Sequence, residues 1–437
     1  MDQELSELKV PETGALTAAQ QRQARLAGIV GNVIEWYDFA LYGYLAATIG
    51  ILFFPAENPT ASLLASYGVF AAGFVMRPLG AAVFGWLGDT IGRGRTMLIS
   101  VAMMAFPTIA LGLLPDYGTI GIAAPILLIL IRLIQGLSVG GEFSSSVSYM
   151  VETAPEDHRG RAGSWANVGS MSGMLLGSAA AALVTTIFES SVFESWGWRL
   201  PFLFGGILGL CAITLRRNLP KSPHFIAHDA CTPSQSPFRQ VWSQNKKELF
   251  QAFLFAAAYG MIFYLIAVYM SGWVARHTPI EEANALQINS ALTLLIIPVM
   301  VLAAWMGDIW IRRTHLIALA LTGLVFSAWP LTTWMMSGNL IAIIVGQAIL
   351  FVLLAVPLGS APAMFVELFP SSDRLTGYSI SFNLGIGVLG GATPALATWL
   401  IAYTGINMIP AILMIAAALV AVVVLLWMTD RSREPLR

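Results

Sequence analysis

Apolar residues occur along this chain in long blocks that short polar segments separate. A helix needs about 20 residues to cross the hydrocarbon core of a bilayer, and each block reaches or approaches that length. The pattern predicts an all-α membrane protein with twelve transmembrane helices, at residues 26–53, 61–87, 97–114, 119–150, 163–187, 199–217, 249–275, 285–307, 315–336, 339–366, 376–403 and 408–429.

A polar segment rich in Pro, Ser, Gln, His and Lys separates the sixth apolar block from the seventh. It divides the predicted helices into two sets of six. The predicted organisation is a cytoplasmic N-terminal tail at 1–25, a six-helix bundle at 26–217, a cytoplasmic linker at 218–247, a second six-helix bundle at 248–430 and a short cytoplasmic tail at 431–437.

The two halves carry related motifs. GDTIGRGR follows the second block and GDIWIRR follows the eighth, while ETAPEDHR in the first half corresponds to ELFPSSDR in the second. A parallel pseudo-two-fold repeat of six-helix units is a transporter architecture, with its site between the halves near the midplane. The repeat pairs Asp89 with Asp308, Arg93 with Arg312, Glu152 with Glu367 and Arg159 with Arg374.

Composition and charge agree with this picture. The chain is 57% hydrophobic and 11% charged, whereas soluble domains carry about 25% charged residues. Its net charge of −1 gives no reason to expect a nucleic-acid partner. Most Lys and Arg residues fall in segments that would be cytoplasmic if both termini were inside, as the positive-inside rule requires.

Five stretches together resemble a known family. GDTIGRGR resembles the signature loop of the major facilitator superfamily. With GNVIEWYDFALYGYLA, RPLGAAVFGWLGD, RLIQGLSVGGEFSSS and SWGWRLPF, it resembles the metabolite:proton symporters, which carry citrate, 2-oxoglutarate, shikimate, and proline or betaine. The resemblance implies a multi-pass protein of the bacterial inner (plasma) membrane, with the proton as its coupling ion.

The first apolar block contains a polar stripe. A charge within hydrocarbon costs several kcal/mol, so the stripe is expected to face a cavity. Its carboxylates are candidate proton carriers, and the alternative is that they form structural ion pairs with Arg77 or Arg132. Four polar residues share this face: Asn32, Glu35, Asp38 and Tyr42.

The fourth block carries a second polar face with Arg132, Gln135 and Glu142. Arg132 and Glu142 lie about 15 Å apart along the helix, so Arg132 needs another partner, either a carboxylate of the first helix or an anionic substrate. RLIQG also resembles the superfamily motif whose Arg is implied in proton coupling. The predicted coupling residues are Glu35, Asp38, Arg132 and Glu142.

Arg77 is predicted to lie near mid-depth in the second helix. It is a natural bidentate partner for a substrate carboxylate, although a pair with Asp38 is an equal alternative. In the second half, Tyr264 and Asn383 offer neutral hydrogen-bonding groups. The predicted substrate-binding residues are Asn32, Tyr42, Arg77, Arg132, Gln135, Tyr264 and Asn383.

The repeated loops predict a cytoplasmic gate, although their arginines could serve topology alone. The predicted gate residues are Asp89, Arg93, Arg95, Asp308 and Arg312. All five histidines fall in loops or at helix ends, so a proton within the membrane has to use a carboxylate. Cys211 and Cys231 indicate no metal site, and no other cofactor is expected.

The predicted function is proton-coupled import of a small organic acid, such as a di- or tricarboxylate, by alternating access. The partners expected are that small molecule, a carboxylate, and the lipid bilayer, and the protein is expected to be a monomer. One alternative is symport of a zwitterionic osmolyte of the proline/betaine type, without the long heptad-patterned tail of osmosensing members. A non-transporting sensor is the least favoured alternative, and no catalytic triad or metal cluster indicates an enzyme.

Overall fold

The computed structural model describes residues 17–56, 59–217, 219 and 237–436. Its long helices, numbered here in chain order, are α1 Ala18–Tyr44, α2 Ala61–Ile91, α3 Arg93–Leu113, α4 Ala123–Glu152, α5 Arg159–Ile187, α6 Arg199–Arg216, α7 Lys246–His277, α8 Glu282–Ile309, α9 Arg313–Met335, α10 Leu340–Leu368, α11 Arg374–Thr404 and α12 Ile409–Trp427. The prediction of an all-α membrane protein with twelve spanning helices is confirmed.

Helix α1 begins earlier than its apolar block. Thr17 and Gln20 form a capping box, in which each side chain bonds the backbone of the other. Residues 18–25 therefore continue α1 and are not a separate tail, while residues 1–16 lie outside the described part. At its other end α1 bends by 67° into a short helix, Ala46–Phe53, and the two together make one span.

The predicted linker at 218–247 is described only in part. Residues 218 and 220–236 lie outside the described residues, as do Cys231 and two of the histidines, His224 and His228. The short helix Pro237–Gln244 precedes α7. Residues 431–436 follow α12 and end the described chain.

Three membrane helices depart from regular α geometry near their centres. Helix α2 is broken between Val75 and Arg77, just ahead of Pro78, because proline removes a backbone donor. Helices α7 and α11 each contain a π-helical turn, Tyr264–Tyr269 and Asn383–Gly390. Such turns re-aim side chains and frequently mark functional sites, and here they border the space between the two halves.

Small residues bring α1 and α5 into close contact. The backbone of α1 runs against Gly169, Gly173 and Gly177, and a Cβ at Gly173 would overlap the carbonyl of Val33. Membrane helices associate largely by such close packing, because lipid supplies no hydrophobic drive between them. This contact holds the polar stripe of α1 at a fixed rotation.

The two halves meet most closely at one end of the bundle. There α2 packs on α11, where Gly85 lies against Thr376, and α5 packs on α8 and α10, where Gly163 lies against Ala363. Asp89, Glu152, Asp308 and Glu367 also lie at this end, which is called the charged end below. The space between the halves is therefore closed on that side.

We expect Gly173→Val to destabilise the protein by about 1–3 kcal/mol, because the added methyl groups would push α1 away from α5. Thermal unfolding in detergent measures this effect. Gly68→Val is the matched control, since a Cβ at Gly68 meets no atom within 4 Å. Equal unfolding temperatures for both variants would contradict the close α1–α5 contact.

Candidate functional site

A small cavity of about 30 Å³ lies between the two halves. This volume holds only about two water molecules, so a larger ligand requires movement of the surrounding helices. Both halves line it, and four of the predicted site residues contribute: Glu35, Arg77, Tyr264 and Asn383. The other lining residues are Trp36, Val139, Phe143, Asn167, Met171, Tyr259, Phe263, Leu358, Phe382 and Ile386.

Glu35 and Arg77 form a loose charge pair in this cavity. Nη2 of Arg77 lies 4.0 Å from Oε1 of Glu35, and both side chains are almost fully buried. Within the described residues, Oε2 of Glu35 and Nε of Arg77 have no hydrogen-bond partner. Buried polar atoms rarely remain unpaired, so this pair has capacity left for a ligand or a proton.

The guanidinium of Arg77 is held between aromatic rings. It lies 4.4 Å from the ring centroid of Phe74 and 4.8 Å from that of Phe39. Cation–π contacts of this kind stabilise a buried charge without using its N–H donors. Arg77 is also the first residue after the break in α2, which directs it into the space between the halves.

An aromatic wall faces the charge pair. The rings of Trp36 and Phe263 meet edge to face at 6.1 Å, and Phe263 meets Tyr264 at 5.3 Å. Trp36 and Tyr259 were not predicted as site residues. Trp36 directly follows Glu35 in the sequence. Its position beside a carboxylate predicted to be buried could have marked it as a site residue.

Two asparagine side chains connect the halves beside the cavity. Asn383 donates to the carbonyl of Gly140 at 2.8 Å, and Asn167 donates to that of Leu358 at 2.7 Å. Asn167 lies in α5 and was not among the predicted site residues. These bonds fix the two halves around the cavity in this conformation.

Asp38 and Arg132 form a second buried cluster, which does not line the cavity. Arg132 donates to Asp38 in a close ion pair, and Asp38 also accepts from Thr108 at 3.0 Å and from Gln135 at 3.1 Å. The Arg132 guanidinium lies 3.9 Å from the ring centroid of Tyr42. Arg77 and Arg132 thus take different carboxylates, and the alternative Asp38–Arg77 pair is not formed.

Four predicted substrate-binding residues do not line the central cavity. Arg132, Gln135 and Tyr42 bond within the first half, where the hydroxyl of Tyr42 donates to the carbonyl of Ser66 at 3.2 Å. Asn32 likewise donates to Gly28 and Ser146 within the first half. A helical wheel assigns such residues to a face, but it does not distinguish a cavity from a neighbouring helix.

Glu142, which was predicted to couple protons, is bonded by Arg216 and lies outside the central cavity. Two N–H groups of Arg216 bond Glu142 at 2.5 and 2.9 Å, and Ser100 donates to the same carboxylate at 2.5 Å. Arg216 also bonds the carbonyls of Ala27 and Met97. The cluster joins α1, α3, α4 and α6, so its contacts hold these four helices together.

The charged end contains two related clusters, one for each repeat. In the first, Asp89 accepts from the backbone N–H of Leu375 at 3.2 Å and of Thr376 at 2.8 Å, at the N-terminus of α11. A carboxylate there is favoured by the helix dipole. Arg93 and Arg374 both contact Glu152, so the repeated motifs hold the two halves together.

In the second cluster, Asp308 accepts from the backbone N–H of Gly160 at 2.7 Å and of Arg161 at 3.0 Å, at the start of α5. Arg313 pairs with Asp308 and Glu367. Glu367 also pairs with Arg159 across the two halves at 3.3 Å.

Two predicted gate arginines are therefore misplaced. Arg312 and Arg95 are exposed, and neither has an ion pair within the described part of the chain. The repeat aligned Arg93 with Arg312, but the arginine buried beside Asp308 is its neighbour Arg313. An extra residue in the turn after α8 shifts the side chain that points inward.

The loop between α10 and α11 is tied to the helix Pro237–Gln244 and its C-terminal end. Gln240 donates to Ser372 at 2.8 Å, and Asn245 donates to Asp373 at 2.7 Å. Burial raises the pKa of the Asp373 carboxyl to about 6, although the bond from Asn245 opposes that rise. The segment before α7 is thus connected to the loop that contacts Arg93.

Comparisons with known proteins agree with this architecture. A family model described as sugar (and other) transporter matches residues 25–236. The chain is 31% identical over 428 residues to the proline/betaine transporter of Salmonella typhimurium, covering 95% of this chain and 85% of that protein. The chain belongs to the major facilitator superfamily. It is therefore a multi-pass transporter of the bacterial inner membrane that carries a small molecule, and the predicted resemblance is confirmed.

Other members support the assignment. The glycine betaine/proline/ectoine/pipecolic acid transporter OusA of Dickeya dadantii is 30% identical over 95% of this chain and 85% of its own. Among solved structures, the proton:xylose symporter XylE has a TM-score of 0.76 at 16% identity, over 92% of this chain and 95% of that one. FucP, in an outward conformation, has a TM-score of 0.67 at 11% identity, over 93% and 99%. These structures share the facilitator fold.

We expect Arg313→Gln to destabilise this facilitator by about 3–5 kcal/mol, because Asp308 and Glu367 would lose a buried cation. Arg312→Gln, one residue away and exposed, should change stability by less than about 0.5 kcal/mol. Thermal unfolding of the two variants in the same detergent makes the comparison. Equal losses would contradict the assignment of Arg313 as the buried partner of Asp308 and Glu367.

Proposed function

We propose that this facilitator is a proton-coupled importer of a small zwitterionic osmolyte of the proline or betaine class. It acts by alternating access as a monomer, with the charged end and both termini on the cytoplasmic side. The distribution of Lys and Arg supports this orientation. The zwitterion was the alternative in the sequence analysis, and it now replaces the di- or tricarboxylate as the favoured substrate.

The charge balance of the cavity carries the proposal. Among the lining residues described, Arg77 is the one cation and Glu35 the one carboxylate. A tricarboxylate would bring up to three negative charges against a single guanidinium. A zwitterion brings one charge of each sign, which matches the cavity.

Each end of such a substrate has a suitable partner. Its carboxylate can bind Arg77, whose Nε has no partner in the described residues. Its positively charged nitrogen can lie against the rings of Trp36, Phe263 and Tyr264, because aromatic faces attract ammonium groups. The relatives described as proline/betaine transporters support the same substrate class.

Glu35 is the proposed proton carrier. Asp38 and Glu142 are each bonded closely by an arginine, whereas Glu35 lies 4.0 Å from its cation and has one oxygen without a partner in the described part of the chain. When a substrate carboxylate binds Arg77, Glu35 loses the cation that it pairs with. A proton then neutralises Glu35, so substrate and proton cross together.

We expect Glu35→Gln to abolish accumulation driven by a pH gradient while leaving exchange of labelled proline or glycine betaine. The amide keeps the shape of the side chain but carries no exchangeable acidic proton. Proteoliposomes with and without a pH gradient separate the two activities. Gradient-driven accumulation at the wild-type level by Glu35→Gln would refute the assignment.

We expect Arg77→Lys to weaken substrate binding by about 10- to 100-fold, because an ammonium replaces the bidentate guanidinium. Ligand-induced thermal stabilisation of the purified protein by proline, glycine betaine, citrate and 2-oxoglutarate measures this loss. Arg276→Lys, outside the cavity, is the control. Stabilisation by the di- and tricarboxylates but not by the zwitterions would contradict the proposed substrate.

A further inference from the structure

A second cavity, of about 370 Å³, opens at the charged end where α1, α5 and α8 meet. It is separate from the central cavity. Arg22 and Arg25 come from the first turns of α1, and His158 and Arg161 from the loop and helix start after α4. These four residues define the arginine pocket.

The arginine pocket has an excess of positive charge. No carboxylate belongs to its described lining. Arg161 is paired with Asp308 at 3.3 Å, and His158 lies 3.4 Å from Asp157. Within the described chain, Arg22 and Arg25 have no acidic partner, so two uncompensated guanidinium groups border one cavity.

The floor of the pocket is apolar. Met150, Ala162, Trp165 and Val301 line it, and the guanidinium of Arg25 lies 5.8 Å from the Trp165 ring centroid. The pocket therefore joins a cationic rim to an apolar base. A ligand with a phosphate group and an adjoining alkyl chain fits both parts, because guanidinium groups bind phosphate in bidentate geometry.

We propose that the arginine pocket binds a phosphate group, either in the headgroup of an anionic phospholipid or in a soluble phosphate. The apolar floor and the position at the end of the membrane helices suit a phospholipid best. Val301 belongs to the second half and the other lining residues to the first. A bound ligand would thus contact both halves beside the Arg161–Asp308 pair and stabilise the closed charged end.

Thermal unfolding of the full-length protein in a non-ionic detergent tests this proposal independently of transport. The probes are dihexanoyl phosphatidylglycerol, inorganic phosphate, and sodium chloride at matched ionic strength. Arg22→Gln/Arg25→Gln removes the two uncompensated charges. Arg95→Gln/Arg312→Gln is the matched control, because it removes two exposed arginines of the charged end that lie outside the pocket.

We expect phosphatidylglycerol to stabilise the wild type and the control variant equally, and to bind the pocket variant about tenfold more weakly. The single variants Arg22→Gln and Arg25→Gln should each lose part of the phosphatidylglycerol affinity. They keep the test valid if the double variant misfolds. The same dependence on Arg22 and Arg25 with inorganic phosphate would support the pocket with a soluble ligand. Equal stabilisation of all variants, or stabilisation by chloride alone, would overturn the proposal.

Discussion

Ionised side chains are costly to bury inside a membrane protein, and this cost determines how charges are paired in the first half of this facilitator. Of the buried carboxylates on α1 and α4, three each have a different arginine of the first half: Glu142 with Arg216, Asp38 with Arg132 and Glu35 with Arg77. The first two pairs are close and have further hydrogen bonds. A buried pair of this kind is tolerated because close attraction and further hydrogen bonds offset the desolvation of both ions.

The Glu35–Arg77 pair differs because its geometry leaves bonds unmade. Aromatic rings hold Arg77 in place, and the π-helical turns of α7 and α11 bring Tyr264 and Asn383 to the same space. Fixed elements thus hold an incompletely bonded pair beside the central cavity. In a structural ion pair these polar atoms would be bonded within the protein. Here they stay unbonded, as the proposed substrate site requires.

Much of the fold and part of the site followed from the sequence. Hydrophobic block length and charge distribution predict the helices, and the wheel of α1 predicts that Glu35 faces inward. The partners of the charges did not follow, because they depend on how deep each helix end lies. Arg216 lies at the end of the sixth apolar block and was given no role from the sequence, yet it is fully buried against Glu142. The prediction of Arg312, where the structure has Arg313, failed for a similar reason. One extra residue in a turn changes which side chain points inward.

Transport requires the loose central pair and the closed charged end to respond to each other. The connection is direct along α11, since Thr376 at its start bonds Asp89 and Asn383 near its middle bonds Gly140. A substrate that draws Arg77 and the α11 turn together changes the position of the same helix that closes the charged end. In the proposed mechanism, protonation of Glu35 then neutralises the carboxylate that has lost Arg77 to the substrate. Under the proposed function, the charged end therefore opens only when substrate and proton are both bound, which is the physical condition for symport.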